Sequence, residues 1–468
     1  MRVRGLGLAL LLCALPHAAR AQARDCDLEA SDSSRGSAFA DQQMWFIGGG
    51  AIFKCADGVI VRSDSLAYIG AAGLVEFIGN VEFIDSLKTL TSKYAQYIGG
   101  QERKVIARDS VVLTDRKNGS TVRAPYLEYY QVSATRLEPL VNIYSGRPRA
   151  TMIRTSADGA RTDTTIIDSD AMQIHGERIF IGTGNVVMTR GLTRAYGNQA
   201  HFDQAADSMF LAGKARILSE DYQLHGDTIF ATMTPGDEFR EVIARTEARL
   251  ESEDLRAEAP NLRILFEKGE VHRLIAVGAR AAAASGRGGA TAAAAQQAVA
   301  FSTDFRLRAD SIDALTPAQT LEKVIATGAA FGERVMSDSA TGTRPNVAAS
   351  DWMRGDTILA TFVAGPERLE TAAADTATRR ERLLDTITAI GLAQSLYALY
   401  DQNDAKAKPA VSYTLAHRIE VRLRDGEVTH VNAEGVDGRP VHGLYLQPDT
   451  TGGTRRTAGR TARTGGNR

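Results

Sequence analysis

The chain has little of what catalysis or metal binding draws on. Its 468 residues contain three cysteines and eight histidines. Seven of the histidines (His175, His201, His225, His272, His417, His430 and His442) fall at no HExxH or HxH spacing, which removes the common zinc arrangements. There is no Gly-x-Ser-x-Gly nucleophile turn and no glycine loop of the phosphate-cradling kind. Asp168-Ser169-Asp170 lacks the remainder of a calcium loop. A formal net charge of −1 gives no global attraction to nucleic acid. Beyond the first segment, no apolar run reaches the ~20 residues that span a bilayer as a helix. These absences predict a protein that is not an enzyme, with no catalytic residue, metal, cofactor or nucleic-acid partner.

What is present starts with a targeting signal. Arg2 and Arg4 precede an apolar run from Leu6 to Leu15. Ala19-Arg20-Ala21 forms a small-x-small cleavage site, with Ala21-Gln22-Ala23 as a second choice. Residues 1–21 therefore read as a signal peptide, and the mature chain as exported and either soluble or peripheral. Cys26 and Cys55 remain after cleavage. In an oxidising compartment they can pair, or Cys55 can serve as a small buried apolar residue. Residues 22–40 are polar and read as a flexible arm. At the far end, within 448–468, the last 18 residues carry Arg455, Arg456, Arg460, Arg463 and Arg468 without an acid. That composition reads as a disordered basic tail or a loose contact with phosphate-bearing lipid.

Between these ends, one phrase recurs: apolar, any, Ala, any, then Gly or a stand-in. It appears as Val105-Ile106-Ala107-Arg108-Asp109, Val242-Ile243-Ala244-Arg245-Thr246 and Leu274-Ile275-Ala276-Val277-Gly278. It returns as Val324-Ile325-Ala326-Thr327-Gly328, Ile387-Thr388-Ala389-Ile390-Gly391 and Val431-Asn432-Ala433-Glu434-Gly435. Period-2 alternation puts its first, third and fifth residues on one strand face. A second phrase interleaves: apolar, any, small, Asp, Ser/Thr, Ile/Leu. Its copies centre on Asp64-Ser65, Asp227-Thr228, Asp310-Ser311 and Asp356-Thr357. The Asp-Ser/Thr step bonds nearby backbone and predicts a turn or bulge between short strands.

The unit of two strand phrases and a turn predicts an all-β, elongated stack of antiparallel strands. Turn signals punctuate it at Asn118-Gly119, Asp158-Gly159, Pro235-Gly236 and Asp425-Gly426. Asn118-Gly119-Ser120 also matches a glycosylation acceptor, but a hairpin turn explains it better. The repeat region divides into 41–278 and 301–447 around an Ala/Gly-rich flexible insert at 279–300, and a second polar insertion lies at 365–380. Arg382 to Tyr400 admits an amphipathic helix by spacing. The repeated phrase at Ile387-Ala389-Gly391 and the mid-helix cost of Gly391 make it a strand instead.

Phe77-Ile78-Gly79-Asn80-Val81-Glu82-Phe83-Ile84-Asp85, followed by Leu90-Thr91-Ser92-Lys93-Tyr94-Ala95-Gln96-Tyr97, resembles the OstA-like family of lipopolysaccharide-transport proteins. Ile181-Gly182-Thr183-Gly184-Asn185-Val186 is a second Gly-Asn-Val copy. The resemblance implies a twisted open β-jellyroll, the β-taco, with an apolar groove for acyl chains. It implies a periplasmic lipid-binding carrier or bridge, soluble or peripheral at the outer membrane, that moves lipopolysaccharide or a related lipid to the outer membrane. It also implies partners among other envelope transport proteins, joined by edge-strand pairing, and head-to-tail self-association. On that reading Met44 to Phe53 and Val428 to Leu446 are the docking edges. The groove candidates are Val81, Phe83, Val105, Ala107, Val242, Ala244, Leu274, Ala276, Val324, Ala326, Ile387, Ala389, Val431 and Ala433. Their small members leave room for guest chains or let opposing walls pack closely. The alternative is a non-catalytic structural β-repeat scaffold of the cell envelope, filled by its own side chains. A parallel β-helix enzyme acting on polysaccharide is a third reading, for which no acidic or basic cluster stands out.

Overall fold

The structure, a computed structural model, describes residues 26–446 except 40–41, 56–57, 70–73, 100–101, 156–161, 177, 235–237, 253–254, 280–295, 303–304, 318–319, 335–349, 370–377, 400–408, 425–426 and 437. The predicted signal peptide, the predicted basic tail and most of the predicted insert at 279–300 lie outside the described residues, as do three of the four turn signals. Among the described residues there is no α-helix, and the strand pairings are antiparallel.

The chain divides into two compact units between Met152 and Ile153. The first contains β1 (Cys26–Ala30), β2 (Ser33–Phe39), β3 (Gln42–Cys55), β4 (Ile60–Ile69), β5 (Leu74–Ile84), β6 (Lys88–Ile98), β7 (Lys104–Asp115), β8 (Thr121–Tyr130) and β9 (Leu140–Ile143), with the start of β10 (Arg149–Thr155). The second opens with β11 (Thr162–Asp168), β12 (Ala171–His175), β13 (Ile179–Arg190), β14 (Thr193–Asp203), β15 (Ser208–Leu218), β16 (Tyr222–Met233), β17 (Phe239–Ser252), β18 (Arg256–Glu267) and β19 (Glu270–Val277). It continues with β20 (Ala298–Phe301), β21 (Phe305–Ala309), β22 (Ser311–Leu315), β23 (Lys323–Arg334), β24 (Trp352–Leu369), β25 (Thr378–Leu399), β26 (Ala410–Arg424), β27 (Glu427–Glu434) and β28 (His442–Leu446).

The division differs from the boundary read at the Ala/Gly-rich segment. The strands on both sides of 280–295 pair within one unit: β18 with β20, and β19 with β22. The described strands on either side of it therefore belong to one continuous body. The insertion read at 365–380 is narrower too, because backbone pairing continues to Leu369 opposite Thr378. The arm read at 22–40 is structured over much of its length, with β1 and β2 both pairing along β3. Its polar composition fits an outermost strand pair, whose exposed side chains need not be apolar.

The two repeated phrases are two forms of one feature, a crease midway along each long strand. On β5, β7, β13, β15, β17, β23 and β25 the crease holds two consecutive residues of positive φ. Examples are Gly79 and Asn80 (75° and 42°), Gly184 and Asn185 (75° and 44°), and Gly391 and Leu392 (78° and 47°). These two residues oppose one on the neighbouring strand. The ladder steps from Thr183↔Gln199 to Val186↔Gly197, leaving Asn198 opposite both Gly184 and Asn185. This is a β-bulge, and the extra residue bends the strand. Buried positions flank it at a spacing of four, as in Ala244 and Ala248, against three on the partner strand, as in Leu224-Gly226 and Ile229-Ala231.

In the copies on β7, β17, β23 and β25 the fifth residue (Asp109, Thr246, Gly328 and Gly391) is therefore the corner itself and leaves the pleated face that carries residues one and three. The Asp-Ser/Thr step crosses the crease inside one strand at Asp64 in β4, Asp227 in β16 and Asp356 in β24, whereas Asp310-Ser311 falls at the break between the short strands β21 and β22.

Candidate functional site

The groove candidates line the interior. Val81, Phe83, Val105, Ala107, Val242, Ala244, Leu274, Ala276, Val324, Ala326, Ile387 and Ala389 are all buried, and the alanines are essentially inaccessible. Val431 and Ala433, on β27, are only half-buried. The alanines sit one or two residues from the crease, where backbones approach most closely. A Cβ on Gly226 would lie 3.3 Å from the Ala244 Cβ, and one on Gly355 would lie 3.4 Å from the Ala389 Cβ. Close packing at the crease accounts for their small size without a guest.

In the first unit, rings from opposite halves of creased strands meet across the interior. Phe53 and Phe77 lie 6.0 Å apart, Phe83 and Tyr97 6.4 Å, and Phe83 and Tyr129 6.3 Å. None of these pairs are ladder neighbours: Phe83 faces Val61 and Leu90, whereas Tyr97 faces Val75 and Val105. A polar cluster closes one side of this interior. Tyr129 donates to Asp85 Oδ2 at 2.7 Å, while Asp85 Oδ1 accepts the backbone amides of Leu87 and Lys88. Burial and the Asp85 charge push the Tyr129 hydroxyl far above its ordinary pKa. Beside it, Lys88 forms a buried ion pair with Asp115. Burial raises the Asp115 carboxyl, but the Lys88 ammonium and the amides of Lys117 and Asn118 outweigh it and hold the group below the usual range.

The second unit differs. Its buried polar residues among those described are Ser169, Thr316, Thr388, Ser395 and Thr414, with no charged side chain among them. Leu211, Ile217, Leu224, Ile229, Leu262 and Ile264 are fully enclosed. One rim is closed by aromatics. Tyr222, at the start of β16, lies 6.1 Å from Phe266 at the end of β18, and Phe239 packs on Phe266 at 5.7 Å. Burial, with the neighbouring Asp221 charge, pushes the Tyr222 hydroxyl up to about 12. The rim aromatics and the Asp85 cluster escaped the sequence reading. They stand at strand ends, outside both repeated phrases, and the spacing that reveals a crease carries no information about what closes it.

The remaining expectations concern the edges. Asn118-Gly119 forms the predicted hairpin turn between β7 and β8, with Gly119 at a φ of 75° and Ser120 N donating to Asn118 Oδ1. Cys26 stands directly opposite Cys55 in the β1–β3 ladder. The predicted docking edge at Met44 to Phe53 is covered, because β1 and β2 pair along β3 while β4 takes its other side. At the other end, β27 and β28 pair with successive stretches of β26, and every residue of β28 is exposed.

The chain matches no protein-family model and no curated protein.

Proposed function

We propose that the chain is a non-catalytic lipid-binding protein of the cell envelope, whose second unit accepts acyl chains between the halves of its creased strands. The observation that carries this reading is the chemistry of that interior: hydrocarbon side chains on both sides of the crease, and no buried charge among the described residues. An interior of this kind can exchange its own contacts for those of an alkyl chain without stranding a polar group. Each methylene moved out of water contributes about 0.8 kcal/mol, so a ~12-carbon chain gains roughly 10 kcal/mol toward parting the walls. The aromatic rim at Tyr222 and Phe266 is where entry begins. The interior of the first unit is held closed by its cross-interior rings and ionic cluster. Lipopolysaccharide or a related multi-chain lipid is the cargo that the OstA-like strand text suggests.

A scaffold reading also has an observation in its favour. The interior side chains are already enclosed by one another, as a structural repeat requires. Native mass spectrometry of the mature chain, isolated gently from a host with an outer membrane, separates the two. A carrier retains lipid in substoichiometric amounts, and Phe266→Ala increases the loaded fraction. A scaffold shows only the bare polypeptide for both proteins.

A further inference from the structure

The two outer walls of the second unit differ in charge. One wall is formed by the half-strands that hold Tyr196, Arg216, Arg308 and Arg354. Two outward rows cross it along the ladder, from Arg194 on β14 to Leu444 on β28 and from Tyr196 to His442. The residues between the rows, among them Ala300, Leu307 and Met353, are buried, so both rows face away from the interior. The rows carry seven arginines against three glutamates, with no lysine or aspartate. The matching rows on the other half-strands, from His201 and Asp203 on β14 to His430 and Asn432 on β27, carry four cations and four acids. Charges on that wall pair as Arg263–Glu241, Arg273–Asp313 and Arg422–Glu420.

The three glutamates do not neutralise the first wall. Glu251 and Glu258 are shared by Arg249 and Arg256, and Glu333 stands 3.6 Å from Arg306. Arg194, Arg216, Arg308 and Arg354 have no carboxylate partner among the described residues. Three of these four lie against rings instead. Arg216 is 4.3 Å from the Tyr196 ring centroid, Arg308 is 4.7 Å from that of Phe331, and Arg354 is 5.8 Å from that of Trp352. Phe331 stacks on Trp352 at 6.1 Å, and Tyr413 meets Trp352 edge-on at 6.3 Å. Tyr413 in turn faces Leu444, which is exposed on the edge strand β28. A guanidinium resting on a ring is held in place and keeps its full charge. Cations and aromatic rings thus share one outward face.

Arg216 on β15 and Arg308 on β21 stand five ladder steps apart, roughly 24 Å at ~4.8 Å per strand. That spread excludes one small shared anion and calls for a surface of many anions. We infer that this wall docks on the headgroup layer of an anionic lipid bilayer. Each arginine meets a phosphate of its own, and Trp352 and Tyr413 take the interfacial level at which such rings settle. The inference does not depend on the interior's accepting acyl chains, because both rows face outward.

The full mature chain is sedimented with phosphatidylcholine vesicles that contain or lack phosphatidylglycerol. It binds the anionic vesicles more tightly, and added salt weakens that binding. Arg216→Gln, Arg308→Gln and Arg354→Gln together weaken it by roughly a hundredfold, about fivefold for each arginine. Lys323→Gln with Arg422→Gln, on the other wall, leaves it unchanged. A retained β circular-dichroism spectrum in each variant shows that the comparison is between folded proteins. A second measurement needs no arginine variant. The chain has two tryptophans, so Trp45→Phe leaves Trp352 alone. Its fluorescence is quenched by anionic vesicles whose acyl chains carry bromine near the headgroup. Arginines of the predicted basic tail can hold the chain on such vesicles but do not bring Trp352 to the lipid. Equal binding to both kinds of vesicle points to acyl capture by the interior alone and overturns the docking wall. A triple variant that binds like the wild type, or an unquenched Trp352, overturns it as well.

Discussion

A Cβ placed on Gly184 would lie 2.5 Å from Oδ2 of Asp170, and the side-chain amide of Asn185 donates to that same oxygen at 2.7 Å. The relationship recurs at Gly328 over Asp310, and at Gly79 over Asp64, where Asn80 donates at 3.0 Å. Glycine is required there twice over, by positive φ and by the carboxylate beneath it. Gly184→Ala is expected to destabilise the chain by about 2–3 kcal/mol through backbone strain and displacement of Asp170. Asp170→Ala is expected to cost about 1 kcal/mol through the lost hydrogen bond. The double variant should cost less than the sum, because removing the carboxylate relieves the clash. Urea unfolding of the three proteins measures the coupling.

Thr246 and Glu247 hold the same corner without glycine, at φ values of 61° and 53°. A β-branched residue in this region is strained. Thr246→Gly is expected to raise stability by about 1 kcal/mol, the relieved strain exceeding the extra unfolded-state entropy. Thermal unfolding checks the sign: a lower melting temperature would mean that Thr246 makes a compensating contact.

Both phrases were legible as repeats because the crease constrains residue type at each step: small residues beside it, glycine or a turn-tolerant residue within it, Asp across from it. Their meaning was not legible. Period-2 alternation continued through the corner assigns Gly328 and Gly391 to the inner face, whereas two residues of positive φ break the pleat at that point. Arg382 to Leu399 is strand rather than helix, with Gly391 a crease glycine within β25. The arm at β1 and β2 could not be read, because an outer strand is held by backbone pairing that leaves no apolar period.

The ion pair of Lys88 and Asp115 sets an acid limit on the first unit. A carboxyl held below its ordinary value of 3.8 contributes stability that is fully present above that value. The contribution is lost as pH falls from about 4 through the lower folded value. Asp115→Asn leaves the Lys88 ammonium buried without its counter-charge and is expected to cost about 3–5 kcal/mol at neutral pH. The variant should also show a shallower loss of stability between about pH 4 and pH 2 than the wild type. Denaturant midpoints across that range give both results.

Cys26 and Cys55 face each other across β1 and β3. Antiparallel partners have Cα atoms about 4.5–5.5 Å apart, within the ~4.4–6.8 Å range that a disulfide spans. In an oxidising compartment the chain is expected to carry this bond, and its reduction should loosen the pairing of β1. Alkylation of the unfolded, unreduced protein followed by intact mass analysis decides the matter. Two modified thiols would show that the pair is open.

The claim that acyl chains enter the second unit is tested most directly by a photocrosslinking residue at Val324, which points inward, compared with Lys323, its outward neighbour on the same strand. The experiment is done in cells making lipopolysaccharide, with adducts resolved on gels and identified by mass. The account predicts lipid adducts at Val324 and few or none at Lys323. Adducts absent at Val324, or equal at the two positions, would contradict it and leave a repeat whose interior belongs to its own side chains.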